Sequence, residues 1–342
     1  MSERISKRYN SIDIFRLVCA VLIVSIHTHP LSDINSFAGY FVSGIIARFA
    51  VPFFLIVSGC FYFDKLTKSG PKAIIAYLKK IILIYSFWSI PYLLLELVAH
   101  FKEEPVWNIL GRFLVDYLFF GSRYHFWYFP ALIYSVIIFT LLYMLFRKKS
   151  FPFIFLSIIL FVIGCLMSCY MDLGNQIPII KQLNSLEKSY VIRRIFFTAL
   201  PFLMLGSIIR AYSNVLLAWN RRTSIILLTA SSVVYLAEML SLYLIRNVEE
   251  VQCFSLYILV AMILIVLLQH PMETKDKAGY YSRILANFTY YIHPLFIFGV
   301  QRASALIGHG IEEGTLMFLI VVALCFSIGL LLSKTPGRKW IA

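Results

Sequence analysis

The stretch Asp13-Ile-Phe-Arg16-Leu-Val-Cys-Ala-Val-Leu-Ile-Val-Ser-Ile-His27 places an arginine and a histidine inside the first strongly apolar segment of the chain. Arg16 and His27 are eleven residues apart. On an α-helix this spacing turns through about 1100°, roughly 20° beyond three full turns, and climbs about 16 Å. The two side chains are therefore predicted to share one helix face, one near each end of a membrane span. Because a charge inside a bilayer is costly, such a face is expected to line a polar path or to meet partners.

The composition indicates an all-α, polytopic membrane protein. Of the 342 residues, 60% are hydrophobic and only 14% are charged, whereas about a quarter of the residues of a soluble domain are charged. We predict a single integral-membrane domain over residues 1–342, with no additional soluble domain. Ten spans of about the length that a bilayer needs are predicted: 12–29, 40–62, 74–99, 126–146, 151–171, 195–212, 223–245, 251–269, 284–305 and 314–333.

The net charge of +14 follows the membrane topology. With the N-terminus inside, 20 of the 31 Lys and Arg residues fall in cytoplasmic segments or, like Lys79, Lys80 and Arg210, near the inner ends of spans, and 8 fall in external segments. This bias follows the positive-inside rule and predicts that both termini are cytoplasmic. We therefore expect the lipid bilayer as a partner and no nucleic acid. The six cysteines lie within predicted spans and have no metal-ligand context, so no metal site is predicted.

The polar residues of the predicted spans separate by depth. The predicted inner end has the cations Arg16, Lys79 and Lys80, with Arg48 deeper, and the predicted outer end has His27, His125, Glu96 and Glu238. This order suits an anionic phosphorylated donor that enters against cations and a hydroxyl acceptor that histidine deprotonates. The alternative is a static bundle whose charges pair, with His125-Phe-Trp127 as an aromatic-belt anchor and Lys79-Lys80 as an ordinary basic flank.

Five motifs in order resemble the membrane-bound acyltransferase 3 family. They are Arg16 with ten intervening residues and His27; Arg48-Phe-Ala-Val-Pro52-Phe-Phe-Leu-Ile-Val-Ser58-Gly59-Cys60-Phe61; Lys79-Lys80-Ile-Ile-Leu-Ile-Tyr85; His125-Phe-Trp127-Tyr-Phe-Pro-Ala131-Leu132; and Tyr290-Tyr291-Ile292-His293-Pro294. Asp13 also matches the family's usual aspartate before the arginine. The chain departs from the family at Cys60, where a tyrosine is common, and at Lys79-Lys80, where many members have a richer arginine cluster.

The resemblance implies acyl-CoA, usually acetyl-CoA, as a co-substrate on the cytoplasmic side, with no permanently bound cofactor. It implies a cell-surface glycan or a lipid-linked glycan as acceptor, and the cell membrane as location. His27 is expected to be the catalytic base, or alternatively a transient acyl carrier.

The other residues are assigned along the same path. Arg16, Lys79 and Lys80 would hold the donor, and Arg48 would polarise the thioester carbonyl or pair with a carboxylate. His125, Trp127 and Glu238 would line the acceptor side, and His293 would support the path. The rival interpretation is a glycan exporter on the same scaffold that transfers no acyl group.

Overall fold

The computed structural model describes residues 9–146, 150–246, 252–272, 277–308 and 310–340. Every regular element of these residues is helical, and no strand occurs among them. Helices satisfy all their backbone hydrogen bonds within one segment, as a bilayer requires. The all-α prediction is therefore confirmed.

The α-helices are numbered here in chain order. They are α1 (Asn10–Thr28), α2 (Ser36–Tyr40), α3 (Ala50–Ser69), α4 (Ala73–His100), α5 (Val106–Val115), α6 (Tyr128–Leu145), α7 (Ser150–Leu166), α8 (Met171–Gly174), α9 (Pro178–Ser185), α10 (Ser189–Ile192), α11 (Leu200–Ala211), α12 (Ser213–Leu216), α13 (Arg221–Arg246), α14 (Ser255–Gln269), α15 (Ala278–Leu306) and α16 (Thr315–Ser333). The π-helical segments are Phe41–Ile45, Asp116–Phe120 and Arg193–Ala199, and the 3₁₀ turns are Ile46–Phe49, Gly70–Lys72, Tyr124–Trp127 and Pro336–Trp340.

Six helical stretches of the described chain are long and apolar enough to cross a membrane, so the protein is a multi-pass membrane protein. They are Asn10–Thr28, Ser36–His100, Tyr124–Leu145, Ser189–Ala211, Arg221–Ile245 and Thr315–Ser333. The predicted spans 40–62 and 74–99 both fall within Ser36–His100, which has 65 residues. Helices α7 and α14 have 17 and 15 residues, fewer than the roughly 20 that a bilayer needs. The count of ten spans and the cytoplasmic termini stay predictions.

The chain divides into two compact units. The first unit comprises Met1–Phe54, Val215–Ser241 and Met262–Ala342, and the second comprises Leu55–Asn214 and Leu242–Ala261. The prediction of one integral-membrane domain stays a prediction. Several basic residues of the topology prediction, among them Arg4, Lys7 and the turn 147–149, lie outside the described residues.

In the first unit, α15 packs against both α1 and α16. A buried apolar cluster is centred on Val24, Ile297 and Val321. The loop after α1 is tied to the start of α16, because the hydroxyl of Thr315 donates to Asp33 Oδ1 at 2.7 Å and accepts from the amide of Leu31 at 2.8 Å. These bonds fix the end of α1 at which His27 lies.

In the second unit, α3 and α11 approach closely at two glycines. A Cβ on Gly59 would clash with the carbonyl of Leu203, and one on Gly206 would clash with the carbonyl of Ile56. Small residues allow such close backbone approach, which is how helices commonly pack in membranes. The glycine of the Ser58-Gly59 motif thus has a packing role.

Candidate functional site

Helix α1 is unbroken from Arg16 to His27, so the two side chains lie on one continuous helix. Near its start, Arg16 Nη1 lies 3.4 Å from Asp13 Oδ1, one turn earlier. The aspartate of the motif therefore forms an ion pair with the arginine. Asp13 is buried and Arg16 is half-buried, and charges within membrane helices are commonly paired in this way.

At the other end of α1, the His27 ring stacks on the ring of His293 from α15. Their centroids are 5.3 Å apart, and the ring planes differ by 19°. His293 is completely buried, whereas His27 is half-buried. The structure thus brings together two histidines that the sequence places 266 residues apart.

Pro294 explains the orientation of His293. A proline has no N–H, so the carbonyl of the residue four positions earlier, Tyr290, loses its helical partner. His293 Nδ1 lies 3.1 Å from that carbonyl oxygen and 3.0 Å from the carbonyl oxygen of Thr289. Since carbonyls only accept, Nδ1 carries a hydrogen and donates it to these oxygens.

Arg48 lies in an irregular helical segment, residues 41–49, inside the predicted span 40–62. A π-helix over Phe41–Ile45 and a 3₁₀ turn over Ile46–Phe49 precede α3. Pro52 contributes to the break because it cannot donate to the carbonyl of Arg48. Arg48 Nε donates to the carbonyl of Gly44 at 3.4 Å. π-helical turns inside helices are frequent at functional sites.

Segment 41–49 lies along α1. Near one end, Ser43 Oγ is 3.4 Å from His29 Nδ1, and at the other the Phe49 ring stacks on Phe15 at 5.9 Å. Phe15 precedes Arg16 and Phe49 follows Arg48 in sequence, so both arginines lie on adjoining parts of the first unit.

Glu238 belongs to the first unit as well. On α13, the Tyr235 hydroxyl donates to the carbonyl of Ile45, the last residue of the π-helix, at 2.8 Å. Glu238 follows three residues later and is half-buried. Residues three apart lie on the same side of a helix, so Glu238 is on the side of α13 that meets segment 41–49.

His125 and Trp127 belong to the second unit, in the 3₁₀ turn before α6. His125 is buried against the rings of Phe126 and Tyr92, with centroids 3.9 and 5.4 Å away. The Arg194 guanidinium lies over the Trp127 ring at 4.9 Å and over the Tyr190 ring at 5.0 Å. These two predicted acceptor-side residues are thus held by aromatic and cation–π contacts.

Lys79 and Lys80 are exposed on α4 of the second unit. The predicted site residues therefore divide between the two units: Arg16, His27, Arg48, Glu238 and His293 lie in the first, and Lys79, Lys80, His125 and Trp127 in the second.

Among the described residues, no group of three or more His, Cys, Asp or Glu side chains could hold a metal ion.

His29 is a residue that sequence reasoning missed. It caps α1 in the left-handed conformation, with φ of 47°, and its amide donates to the carbonyl of Ser25. Such a φ is uncommon for a residue other than glycine and marks a strained position. The signal available in the sequence is Pro30, because the residue before a proline is disfavoured in the right-handed helical region.

These features define a multi-pass helical membrane protein. Its helix α1 has the Arg16–Asp13 ion pair near one end, and at the other end His27 stacks on His293 of α15. A family model described as an acyltransferase domain matches residues 9–334, nearly the whole chain. The chain belongs to the acyltransferase 3 family, and this membership supports an enzyme of the acyltransferase type.

Two curated relatives carry other names. An "amino-acid racemase" of Enterococcus faecalis is 30% identical over 336 residues, which are 95% of this chain and 46% of the relative. A "serine/alanine racemase" of Enterococcus gallinarum is 28% identical over 322 residues, 92% of this chain and 44% of the relative. The chain thus spans less than half the length of these relatives. No solved structure matches it.

Proposed function

We propose that this protein transfers an acyl group, acetyl in the simplest case, from cytoplasmic acyl-CoA to a hydroxyl of a cell-surface glycan or its lipid-linked precursor. The enzyme would act in the cell membrane. The observation that carries the proposal is the stack of His27 on His293, at the opposite end of α1 from the Arg16–Asp13 pair. Membership of the acyltransferase 3 family supports the reaction type.

In the proposed reaction, His27 takes the proton from the acceptor hydroxyl while the oxygen attacks the thioester carbonyl. The carbonyl electrons move onto oxygen, and a nearby cation, for which Arg48 is the candidate, stabilises the resulting oxyanion. When the oxyanion collapses, the C–S bond breaks, and the CoA thiolate receives the proton from protonated His27. Histidine suits both proton transfers because its ordinary pKa lies near neutral pH.

The other residues act in binding. Arg16, Lys79 and Lys80 would attract the anionic donor, which is a co-substrate rather than a resident cofactor. His125, Trp127 and Glu238 would bind the acceptor. His293 holds a fixed ring against His27 through the hydrogen bonds of its Nδ1.

The test is His27→Ala in purified protein supplied with labelled acetyl-CoA and a glycan acceptor. Removal of a general base typically costs about 10²–10⁴-fold in rate, so transfer should fall to near background while membrane insertion and Tm stay close to wild type. The matched control is His100→Ala, since His100 lies at the end of α4 and pairs with Glu103 at 3.1 Å. Retained transfer in the His27 variant would overturn the assignment.

The second candidate is translocation without acyl transfer. The names of the two relatives favour a small amino acid, rather than a glycan, as the molecule handled. Proteoliposomes separate the candidates: L-serine and L-alanine are offered with and without acetyl-CoA, and both uptake and acylated product are measured. Uptake that needs no acetyl-CoA and yields no acylated product would support translocation.

A further inference from the structure

Arg283 lies at the level of Arg16 in the first unit. Helices α1 and α15 run side by side in the same direction, because Gly279 lies against Asn10 and His293 lies against His27. Arg16 follows Asn10 by six residues and Arg283 follows Gly279 by four, rises of about 9 and 6 Å. The two arginines therefore lie within a few ångströms of one another along the helix axes.

Among the described residues, Arg283 contacts an aromatic ring but no carboxylate. The guanidinium carbon lies 5.9 Å over the ring of Tyr280, one turn earlier on α15. Its Nε atom is buried and has no hydrogen-bond acceptor within the part of the chain that the structure describes. No described carboxylate lies within ion-pair distance of it, whereas Arg16 has Asp13. A buried donor without an acceptor is costly, so its presence calls for an explanation.

A second basic side chain occurs at the same end of the unit. The end of α14 is fastened to the start of α1, because Ser11 Oγ donates to the carbonyl of Leu267 and Asn10 Nδ2 to that of Met272, both at 2.9 Å. In the sequence, His270 lies between Leu267 and Met272, the residues whose carbonyls accept these two hydrogen bonds. Its Nε2 atom is also buried and without a hydrogen-bond partner among the described residues.

We propose that Arg283, with His270, binds a phosphate group of the acyl donor at the predicted inner end of the first unit. This inference rests on the proposed function and adds two binding residues that the family motifs do not include. A planar guanidinium binds phosphate through two parallel hydrogen bonds. Arg283 precedes His293 by ten residues, a rise of about 15 Å, which an extended pantetheine arm can span. The donor thioester would then reach the histidine pair.

The test compares the affinity of purified protein for CoA and for pantetheine, which lacks the phosphates, by calorimetry. The variants are Arg283→Gln, Arg283→Lys and His270→Gln. Hydrogen bonds to charged groups contribute about 1.5–3 kcal/mol, so Arg283→Gln should weaken CoA binding about 10- to 100-fold. Arg283→Lys should lose less, because it keeps the charge without the fork. Pantetheine binding should not change.

Arg302→Gln is the matched control. Arg302 lies near the other end of the same helix and has the same kind of stack, with its guanidinium carbon 5.2 Å over Phe298. Its replacement should leave CoA affinity unchanged.

Three results would overturn the inference. Wild-type CoA affinity in Arg283→Gln would refute it and leave the proposed function intact. An equal loss of CoA and pantetheine binding, with a lowered Tm, would assign Arg283 a structural role. Wild-type protein that binds no CoA would refute the inference and the proposed donor together, so the two failures are distinguishable.

Discussion

His293 combines two properties that single substitutions can separate. Its ring stacks on His27, and its Nδ1 donates to the two carbonyls that the backbone around Pro294 presents. His293→Phe keeps a flat ring but leaves both carbonyls without that donor. His293→Asn removes the ring but places an amide N–H close to the position of Nδ1.

If the fixed ring positions His27, both variants should lower kcat, by about tenfold or more, with little change in the KM for acetyl-CoA. The physical reason is that a supporting residue acts on the geometry of the base and not on donor binding. Steady-state kinetics, with acetyl-CoA varied at saturating acceptor, measure kcat and the KM for acetyl-CoA separately. A rise in KM alone, with kcat unchanged, would place His293 in donor binding instead.

Asp33 gives a prediction for pH dependence. Hydrogen bonds from Thr315 hold the pKa of the Asp33 carboxyl below its ordinary value. A carboxyl with a lowered pKa in the folded state adds stability above its unfolded pKa, roughly 3.9, and loses that contribution as the pH falls through the folded value. The tie between the loop and α16 is therefore at full strength from pH 5 to 8.

Asp33→Ala should lower the Tm of the detergent-solubilised protein by a constant amount between pH 8 and 5, and this difference should shrink below about pH 4. Glu313→Ala is the control, since Glu313 is also exposed and precedes Thr315 by two residues. A Tm difference that keeps its size at pH 3 would show that Asp33 stabilises through something other than its charge.

At the scale of elements, the π-helix over Arg193–Ala199 depends on one buried amide. Gln252 Nε2 donates to the carbonyl of Phe197 at 2.7 Å and to that of Phe161 at 3.3 Å, while its Oε1 accepts from the Thr198 hydroxyl at 2.7 Å. A π-helix shifts the regular hydrogen-bond pattern, and Gln252 supplies a donor at that position.

Gln252→Leu should therefore destabilise the protein strongly. It keeps the volume but leaves two buried carbonyls and a hydroxyl without this partner, at about 1–3 kcal/mol for each unsatisfied group. We expect a loss of roughly 3 kcal/mol or more in the free energy of unfolding, measured by denaturation in detergent. Gln182→Leu, on the exposed side of α9, should change it by less than about 0.5 kcal/mol. A Gln252→Leu variant as stable as wild type would show that water replaces the amide.

The long apolar helices and the shared helix of Arg16 and His27 could be predicted from sequence because both depend on local periodicity. The irregularity at 41–49 could not be. Pro52 hints at a break, but the contact that helps hold it, from Tyr235 to Ile45, joins residues 190 positions apart. The stack of His27 on His293 and the support of Gln252 for a π-helix are equally non-local. Such contacts arise only from packing, which no spacing rule encodes.

At the scale of the whole molecule, the motifs do not map onto one contiguous part of the chain. Helix α3 contributes Ala50–Phe54 to the first unit and Leu55–Ser69 to the second, so the motif from Arg48 to Phe61 passes from one to the other. The first unit gathers residues from three separated segments of sequence. Continuity of a motif in sequence is therefore a poor guide to which unit holds each of its residues.

The topology can be tested with single cysteines because the native ones give little background. All six, Cys19, Cys60, Cys165, Cys169, Cys253 and Cys325, are free and buried, and a buried thiol reacts slowly with a charged reagent. New cysteines at Ser69 and Ser185, both exposed, report on opposite predicted sides of the membrane.

In intact cells, a membrane-impermeant maleimide should label Ser185→Cys and leave Ser69→Cys unlabelled, because the basic segment that contains Ser69 is predicted to be cytoplasmic. After permeabilisation, both should be labelled to a similar extent, which controls for reactivity. If only Ser69→Cys were labelled in intact cells, the protein would have the opposite orientation to the predicted one. That orientation would put the Arg16 end of α1 outside, where cytoplasmic acyl-CoA has no access, and would exclude the proposed direction of transfer.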